Sequence, residues 1–246
     1  MNKNNTIVHL KKTGLTACLF LCIATGYSQQ KKWIEDPALN KVYALVLNLE
    51  VNGARDQLKQ PNTPEQIYIA SLADALELLV TEDEVKFDRY EDKYESRLDQ
   101  LTEINPQTAE SLFAQAELRL QWAFTYLKFG HEFDAAWNIR QAHILAQECK
   151  KKYPDFLPVK KTSGLLEIML GSVPEKYQWV MNLLSMEGSV DQGLSELEQV
   201  IEKSETLRLE TTLLYHLFTG FILQQTTAAM AGFESTIQAY PGNRLA

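Results

Sequence analysis

Apolar residues recur at steps of three and four through segment after segment of this 246-residue chain. Val42, Leu45, Val46 and Leu49 share one helical face. Ile67, Ile69, Leu72, Ala75, Leu76 and Leu79 make a broad stripe over 65–80, and Phe87, Tyr90, Tyr94, Leu98 and Leu101 a narrower one through 104. No run of β-branched residues alternates with period two between turn signals, so the pattern predicts an all-α protein. Proline and glycine fall between these segments, where they punctuate rather than fill.

The punctuation sets the element order. Asp36-Pro37 reads as an N-cap with proline at the first helical position. Asn52-Gly53 is expected to interrupt a short second helix ending near Lys59, and Pro61-Asn62-Thr63-Pro64 breaks the chain again. Thr81-Glu82-Asp83-Glu84 reads as a capping box and acidic first turn. The charges of the helix that follows, Asp88, Glu91, Asp92 and Glu95, then form a solvated face. Asn105-Pro106 ends that helix. A long helix over 108–129, closed by Gly130, pairs with one over 134–152, before the elbow Tyr153-Pro154-Asp155-Phe156-Leu157-Pro158. Hairpins in series, none able to bury its apolar face alone, are the makings of an α-solenoid.

The first residues bear on location. Lys3, Lys11 and Lys12 form a positive stretch without acids, 15–26 are apolar, and Gly26-Tyr27-Ser28 offers the small residues of a cleavage site. This is the order of a secretory signal peptide over 1–28, and the apolar run is too short to span a bilayer. The mature helical domain is then 29–246, exported to the periplasm or cell envelope. An alternative is a lipoprotein acylated at Cys18 of Leu15-Thr16-Ala17-Cys18, although Lys12 leaves almost no apolar stretch before that cysteine.

Without Lys3, Lys11 and Lys12 the mature chain carries 21 basic and 32 acidic residues, a net charge near −11. That balance excludes nucleic acid as an expected partner and lacks a polybasic membrane footprint. Cys18 and Cys22 leave with the signal, so Cys149 has no mate for an intramolecular disulfide and is expected to pack as a small hydrophobe.

The tetratricopeptide repeat, about 34 residues with small and aromatic residues at helix crossings and a terminal proline, fits in part. Registered on Pro241, Ala229 and Phe233 fall on the small and aromatic positions, but Leu217 stands where a small residue belongs. Registered on Pro154, Ala142 fits and Gly130 falls inside a helix that it more naturally ends. Tyr240-Pro241-Gly242-Asn243 reads as the crossover into a further helix, so the chain is expected to be a truncated or partial array.

Residues 164–197 carry a more specific pattern. A helix led by Gly164 stops at Ser172-Val173-Pro174; a second apolar segment with Tyr177, Trp179 and Leu183-Leu184 follows; then Gly188-Ser189 leads through Gly193-Leu194 into a third. Gly164 and Gly193 would let two helices approach closely. This order resembles the tetratricopeptide-repeat-39 family and its fungal inclusion-body-clearance relatives, with the second turn glycine replaced by Ser189 or Val190. The resemblance implies a helical-repeat adaptor with no catalytic residues to carry over, and the intracellular partners of that family do not transfer to an exported chain.

Chemistry is otherwise sparse. His131-Glu132 lacks the second histidine of a zinc helix, and His143, His216 and Cys149 have no metal spacing. No phosphate loop or nucleophile elbow is present. The carboxylates are expected on helix exteriors, with no cause for raised pKa values. No catalytic, cofactor-binding or metal residue is therefore assigned. Trp122, Phe124, Tyr126, Phe129, Phe133 and Trp137 crowd one hairpin, mostly as core, with some able to line a groove for a protein or peptide. The leading expectation is a non-enzymatic interaction scaffold. The alternative is a carrier of lipid or another hydrophobic ligand, with a cavity between helices over 163–172, 174–187 and 206–225. N-terminal sequencing of the protein from the host's envelope fraction checks the processing: a chain beginning at Gln29 is expected, and an acylated Cys18 would establish the anchor instead.

Overall fold

Helix starts are fixed by short polar side chains that satisfy the first free backbone N–H groups. The Asp36 carboxylate accepts from Ala38 N at 2.8 Å, with Pro37 opening the helix. Thr63 accepts from Gln66 N at 3.3 Å ahead of Pro64. Thr108 and Ser111 cap each other's backbone reciprocally, and Ser189 accepts from Gln192 N. In the computed structural model, which describes residues 33–173 and 186–246, these caps open four of ten helices. In chain order they are α1 Pro37–Leu47, α2 Val51–Gln57, α3 Pro64–Thr81, α4 Glu84–Thr102, α5 Ala109–Lys128, α6 Glu132–Lys152, α7 Val159–Gly171, α8 Val190–Lys203, α9 Arg208–Phe221 and α10 Thr226–Ala239. The described residues contain no strand. The signal peptide, its cleavage site and Cys18 lie outside the described residues, as do Tyr177, Trp179 and most of the segment 174–187.

Two boundaries differ from the sequence expectation. Asn52-Gly53 sits inside α2, and the break falls earlier, at Leu49 with its left-handed φ of 59°. Ala54 is fully buried, and seating it needs helix through Gly53, so tertiary packing overrides a propensity cost of about 1 kcal/mol. The cap of α4 is Asp83, accepting from Lys86 N at 3.1 Å; Thr81 ends α3, with its hydroxyl donating to the Glu77 carbonyl. Two capping side chains compete there, and the apolar stripe of α3 carries that helix past the first of them.

Gly130 ends α5, which excludes the register that placed it inside a helix. Its φ is +79°, and the backbone N–H groups of Gly130 and His131 reach back to the carbonyls of Leu127 and Tyr126. This is the double C-terminal closure that glycine permits. It turns the chain directly into α6, and α5 and α6 form the most extensively packed hairpin.

The next pair is set by glycine in a different way. Gly164 of α7 and Gly193 of α8 face each other so closely that a Cβ on Gly193 would lie 2.5 Å from the Gly164 carbonyl oxygen and 2.7 Å from Ile168 Cγ1. Backbone therefore meets backbone, as the two glycines led one to expect.

The packing is not confined to neighbours along the chain. α3 packs on α5, and α7 touches both α5 and α9. The segment after α10 folds onto α1, where Asn243 donates to the Leu47 carbonyl at 3.1 Å and Arg244 N donates to Asn48 at 2.9 Å. Ahead of α1, Trp33 and Ile34 are buried, and Trp33 sets its ring edge-on against Tyr68 and Phe113. Gly193→Ala is expected to cost about 1–3 kcal/mol, because the backbone contact must open. Gly53→Ala, whose nearest neighbour is Leu45 at 3.8 Å, is expected to gain up to about 1 kcal/mol. Chemical denaturation of the two variants checks both signs.

Candidate functional site

The carboxylates expected on helix exteriors are in several cases interior. Asp74, Glu117, Glu167, Glu196 and Glu210 are all buried. For Asp74, Glu117 and Glu167 the reason lies in their helices: α3, α5 and α7 are enclosed on most sides, so they have little polar face on which an acid could sit. Glu196 and Glu210, on α8 and α9, are buried where those helices meet α7 and its Ser163 and Lys161.

Lys161 is the centre of the deepest cluster, and only 1 % of its surface is exposed. Its ammonium meets Glu117 Oε2 at 2.7 Å, Glu210 Oε1 at 2.6 Å and the Tyr68 hydroxyl at 2.9 Å. All three of its N–H bonds are thereby used. The hydroxyls of Tyr43 and Tyr68 both donate to the other oxygen of Glu210, and Thr162 donates to the other oxygen of Glu117. Each of α1, α3, α5, α7 and α9 contributes; the even-numbered helices contribute nothing.

The electrostatics follow from burial. Burial works against the Lys161 ammonium, but the charges and hydrogen bonds of Glu117 and Glu210 outweigh it and hold its pKa above the ordinary lysine value. Burial, opposed by Lys161 and reinforced by Glu210, raises the Glu117 carboxyl. Burial and then the charge of Glu210 push both phenols well above the usual range, so Tyr43 and Tyr68 remain donors. Every N–H and O–H hydrogen in the contact set is donated within the protein, and each carboxylate oxygen accepts at least one of them. The arrangement is that of an internally paired ion core.

A second ionic cluster opens onto the surface between α2, α3 and α4. Asp74 accepts from Arg55 Nη2 at 2.6 Å and Nε at 3.0 Å, and from Arg97 Nη1 at 2.8 Å. One turn along α3, Glu77 takes Arg55 at 2.5 Å, Lys86 at 2.9 Å and the Tyr90 hydroxyl at 2.8 Å. Partial burial would raise the Glu77 pKa, but the hydrogen bonds from Lys86, Tyr90 and Arg55 lower it to about 2. Its stabilising contribution is therefore present above the ordinary carboxylate value and is lost as pH falls towards 2.

A third cluster joins α6, α7 and α8. Lys150 pairs with Glu196 at 2.6 Å, Ser163 donates to the same carboxylate, and Glu167 accepts from Ser189 N at 2.9 Å. His143 is half-buried beside Glu167 and Gln192 in a shallow polar cleft, and burial lowers its pKa. His216 lies against the backbone of Gly232 and edge-on to Phe233, and His131 stacks on Phe87. Among the described residues no group of three histidine, cysteine or acidic side chains is arranged to hold a metal ion. Cys149 is buried; its thiol contacts the Ala109 carbonyl at 3.6 Å, and burial pushes its pKa up to about 12.

The aromatic group divides. Trp122 and Tyr126 are core, with Trp122 stacked on Tyr94 at 4.7 Å, and Phe124 and Phe129 pack against that core. Phe133 and Trp137 are on the outside of α6, 91 % and 57 % exposed. Ile144 continues their line. Of the three segments expected to enclose a carrier cavity, the middle one lies largely outside the described residues.

The buried ions were missed because a helical pattern count treats every charge as outward. The available signal was an acid or lysine inside an otherwise apolar stretch: Asp74 in Leu72-Ala73-Asp74-Ala75-Leu76, and Glu117 between Ala116 and Leu118. Lys161→Met is expected to cost about 3–5 kcal/mol near neutrality, because it strands two buried carboxylates. The loss should shrink as pH falls, when those carboxylates can take up protons. Glu117→Gln, which leaves one lysine paired with one carboxylate and can still accept from Lys161, should stay within about 1 kcal/mol of the parent. Because the folded Lys161 pKa is raised, its stabilisation is complete below the ordinary lysine value and disappears as pH rises through the raised one. Urea titrations of the three proteins across pH check this.

No protein-family model, characterised protein or solved structure matches the chain.

Proposed function

We propose that the chain is an exported, non-enzymatic helical protein of tetratricopeptide-like hairpins that serves as a protein–protein interaction module in the cell envelope. The observation that carries the reading is the stripe Phe133, Trp137 and Ile144 on α6. These residues are spaced by four and then seven positions, so they lie on one helical face, and each is 42 % exposed or more. Large exposed aromatics one turn apart are typical anchors for a partner, since each buries much apolar area at small conformational cost. The secretory pattern over 1–28 supports the location. The resemblance of 164–197 to the tetratricopeptide-repeat-39 family supports an adaptor role. The saturation of the Lys161 cluster supports a structural rather than a chemical use of the buried charges.

The test is cross-linking in the intact envelope of the host, followed by purification of the tagged chain and of Phe133→Glu/Trp137→Glu. The exposed positions tolerate the change, so thermal unfolding should be unaltered. Recovery of the cross-linked partner should fall about ten-fold or more, as expected for loss of anchor residues. Equal recovery with both proteins, or a parent chain that cross-links to nothing, would overturn the reading.

A further inference from the structure

The cleft between α2, α3 and α4 has a volume of about 580 Å³, within the roughly 300–1,000 Å³ of sites that take small organic ligands. Its lining is of two kinds. Arg55, Lys59, Lys93 and Arg97 are cationic against Asp74 and Asp92, an excess of positive charge in a chain whose net charge is −8. Ala54, Leu58, Pro61, Ala70 and Ala73 are apolar.

The positive charge is concentrated and incompletely answered. Asp74 is already shared by Arg55 and Arg97. Around the Tyr90 ring stand Lys93 at 4.6 Å, Arg55 at 5.0 Å and Arg89 at 5.2 Å. Among the described residues no carboxylate lies within ion-pairing distance of Lys93. Burial, together with Arg97, Arg55 and Arg89, holds the Lys93 pKa below the ordinary lysine value against the pull of Asp74. Arg55 is already paired with Asp74 and Glu77. Cations packed against a ring face gain from its quadrupole, but an aromatic ring does not neutralise Lys93, which faces the cleft. An anion entering the cleft would.

We propose that this cleft binds a small amphiphilic anion, its carboxylate between Lys93 and Arg97 and its apolar body against Leu58 and Pro61. A hydrogen-bonded ion pair at Lys93 supplies affinity that neither water nor the ring can replace. The apolar lining rewards a ligand that carries a hydrocarbon chain as well as a charge. The site is independent of the α6 stripe and of whatever partner that stripe takes.

Isothermal titration of the full-length chain with octanoate, octan-1-ol and acetate tests the assignment. Octanoate should bind with one-to-one stoichiometry, and the alcohol and acetate at least about ten-fold more weakly, since each lacks half of the recognition. Lys93→Gln should weaken octanoate about ten-fold without lowering thermal stability, because Lys93 is solvent-exposed, carries no ion pair among the described residues and is crowded by Arg55, Arg89 and Arg97. Leu58→Asn should weaken octanoate and leave acetate unchanged. Failure of octanoate to bind, octan-1-ol binding as tightly, or full affinity in Lys93→Gln would each overturn the proposal.

Discussion

An ammonium group held out of water must be paired on every side, and Lys161 is the place where this chain meets that demand. The desolvation cost for such an ion is several kcal/mol even after relaxation. Here two carboxylates and a phenol divide its three protons. The carboxylates are themselves held by Tyr43, Tyr68 and Thr162. These groups come from five helices, so a small slip of any one of them leaves a buried charge without a partner. The cluster adds little favourable energy of its own. What it does is penalise every alternative packing of α1, α3, α5, α7 and α9. The favourable energy comes from the apolar side chains around it, such as Trp33, Phe113 and Leu165, whose removal from water is non-directional and could be met by other arrangements.

That constraint decides where the protein can meet other molecules. Tyr43 and Glu210 are 167 residues apart in sequence, yet they bond in the interior. In an open stack of hairpins, each unit touches only its neighbours and the inner helices leave a groove. Here the same helices converge on Lys161, and the tail after α10 returns to α1. The inner face is therefore filled by the chain itself, and its aromatics, Tyr68 and Trp122 among them, are used in packing. Of the large aromatics left for solvent, Phe133 and Trp137 belong to α6, which takes no part in the ion cluster, and Phe221 stands at the far end of α9. Gly164 and Gly193 act in the same direction, drawing α8 against α7 until no space for a side chain remains between them.

Local structure was largely legible in the sequence. The inward face of α4, Phe87, Tyr90, Tyr94, Leu98 and Leu101, matches the buried set of that helix residue for residue. The α5–α6 hairpin and its Gly130 turn fall within two residues of expectation, because hydrophobic period and capping chemistry are local properties. The ion core was not legible, for a reason that is also physical. Periodicity says which face of a helix is apolar, and α5 and α7 have almost no polar face. A charge in such a helix is buried by default, but its partners are set by tertiary register. Lys161 lies 49 residues from Glu210 and 93 from Tyr68, and no local pattern connects them.

The two larger ionic clusters also differ in a way that separates structure from binding. Around Lys161 the donors and acceptors match one another, and each side chain is 8 % exposed or less, so nothing is left to recruit a ligand. Around Asp74 the same chemistry is used with a different balance. Asp74, Glu77 and Asp83 answer Arg55, Arg97 and Lys86, while Lys93 and Arg89 crowd the ring of Tyr90 with no carboxylate of the described residues among their close contacts. A cluster meant only to hold α2, α3 and α4 together would not need that surplus. Like charges brought close at a half-open surface repel, and the fold holds them there against that repulsion. Screening by salt relieves part of this, but the part facing the cleft is relieved best by a ligand that brings a negative charge and displaces water from Leu58 and Pro61. The uneven charge balance, more than the volume of the cleft, gives it its chemical selectivity.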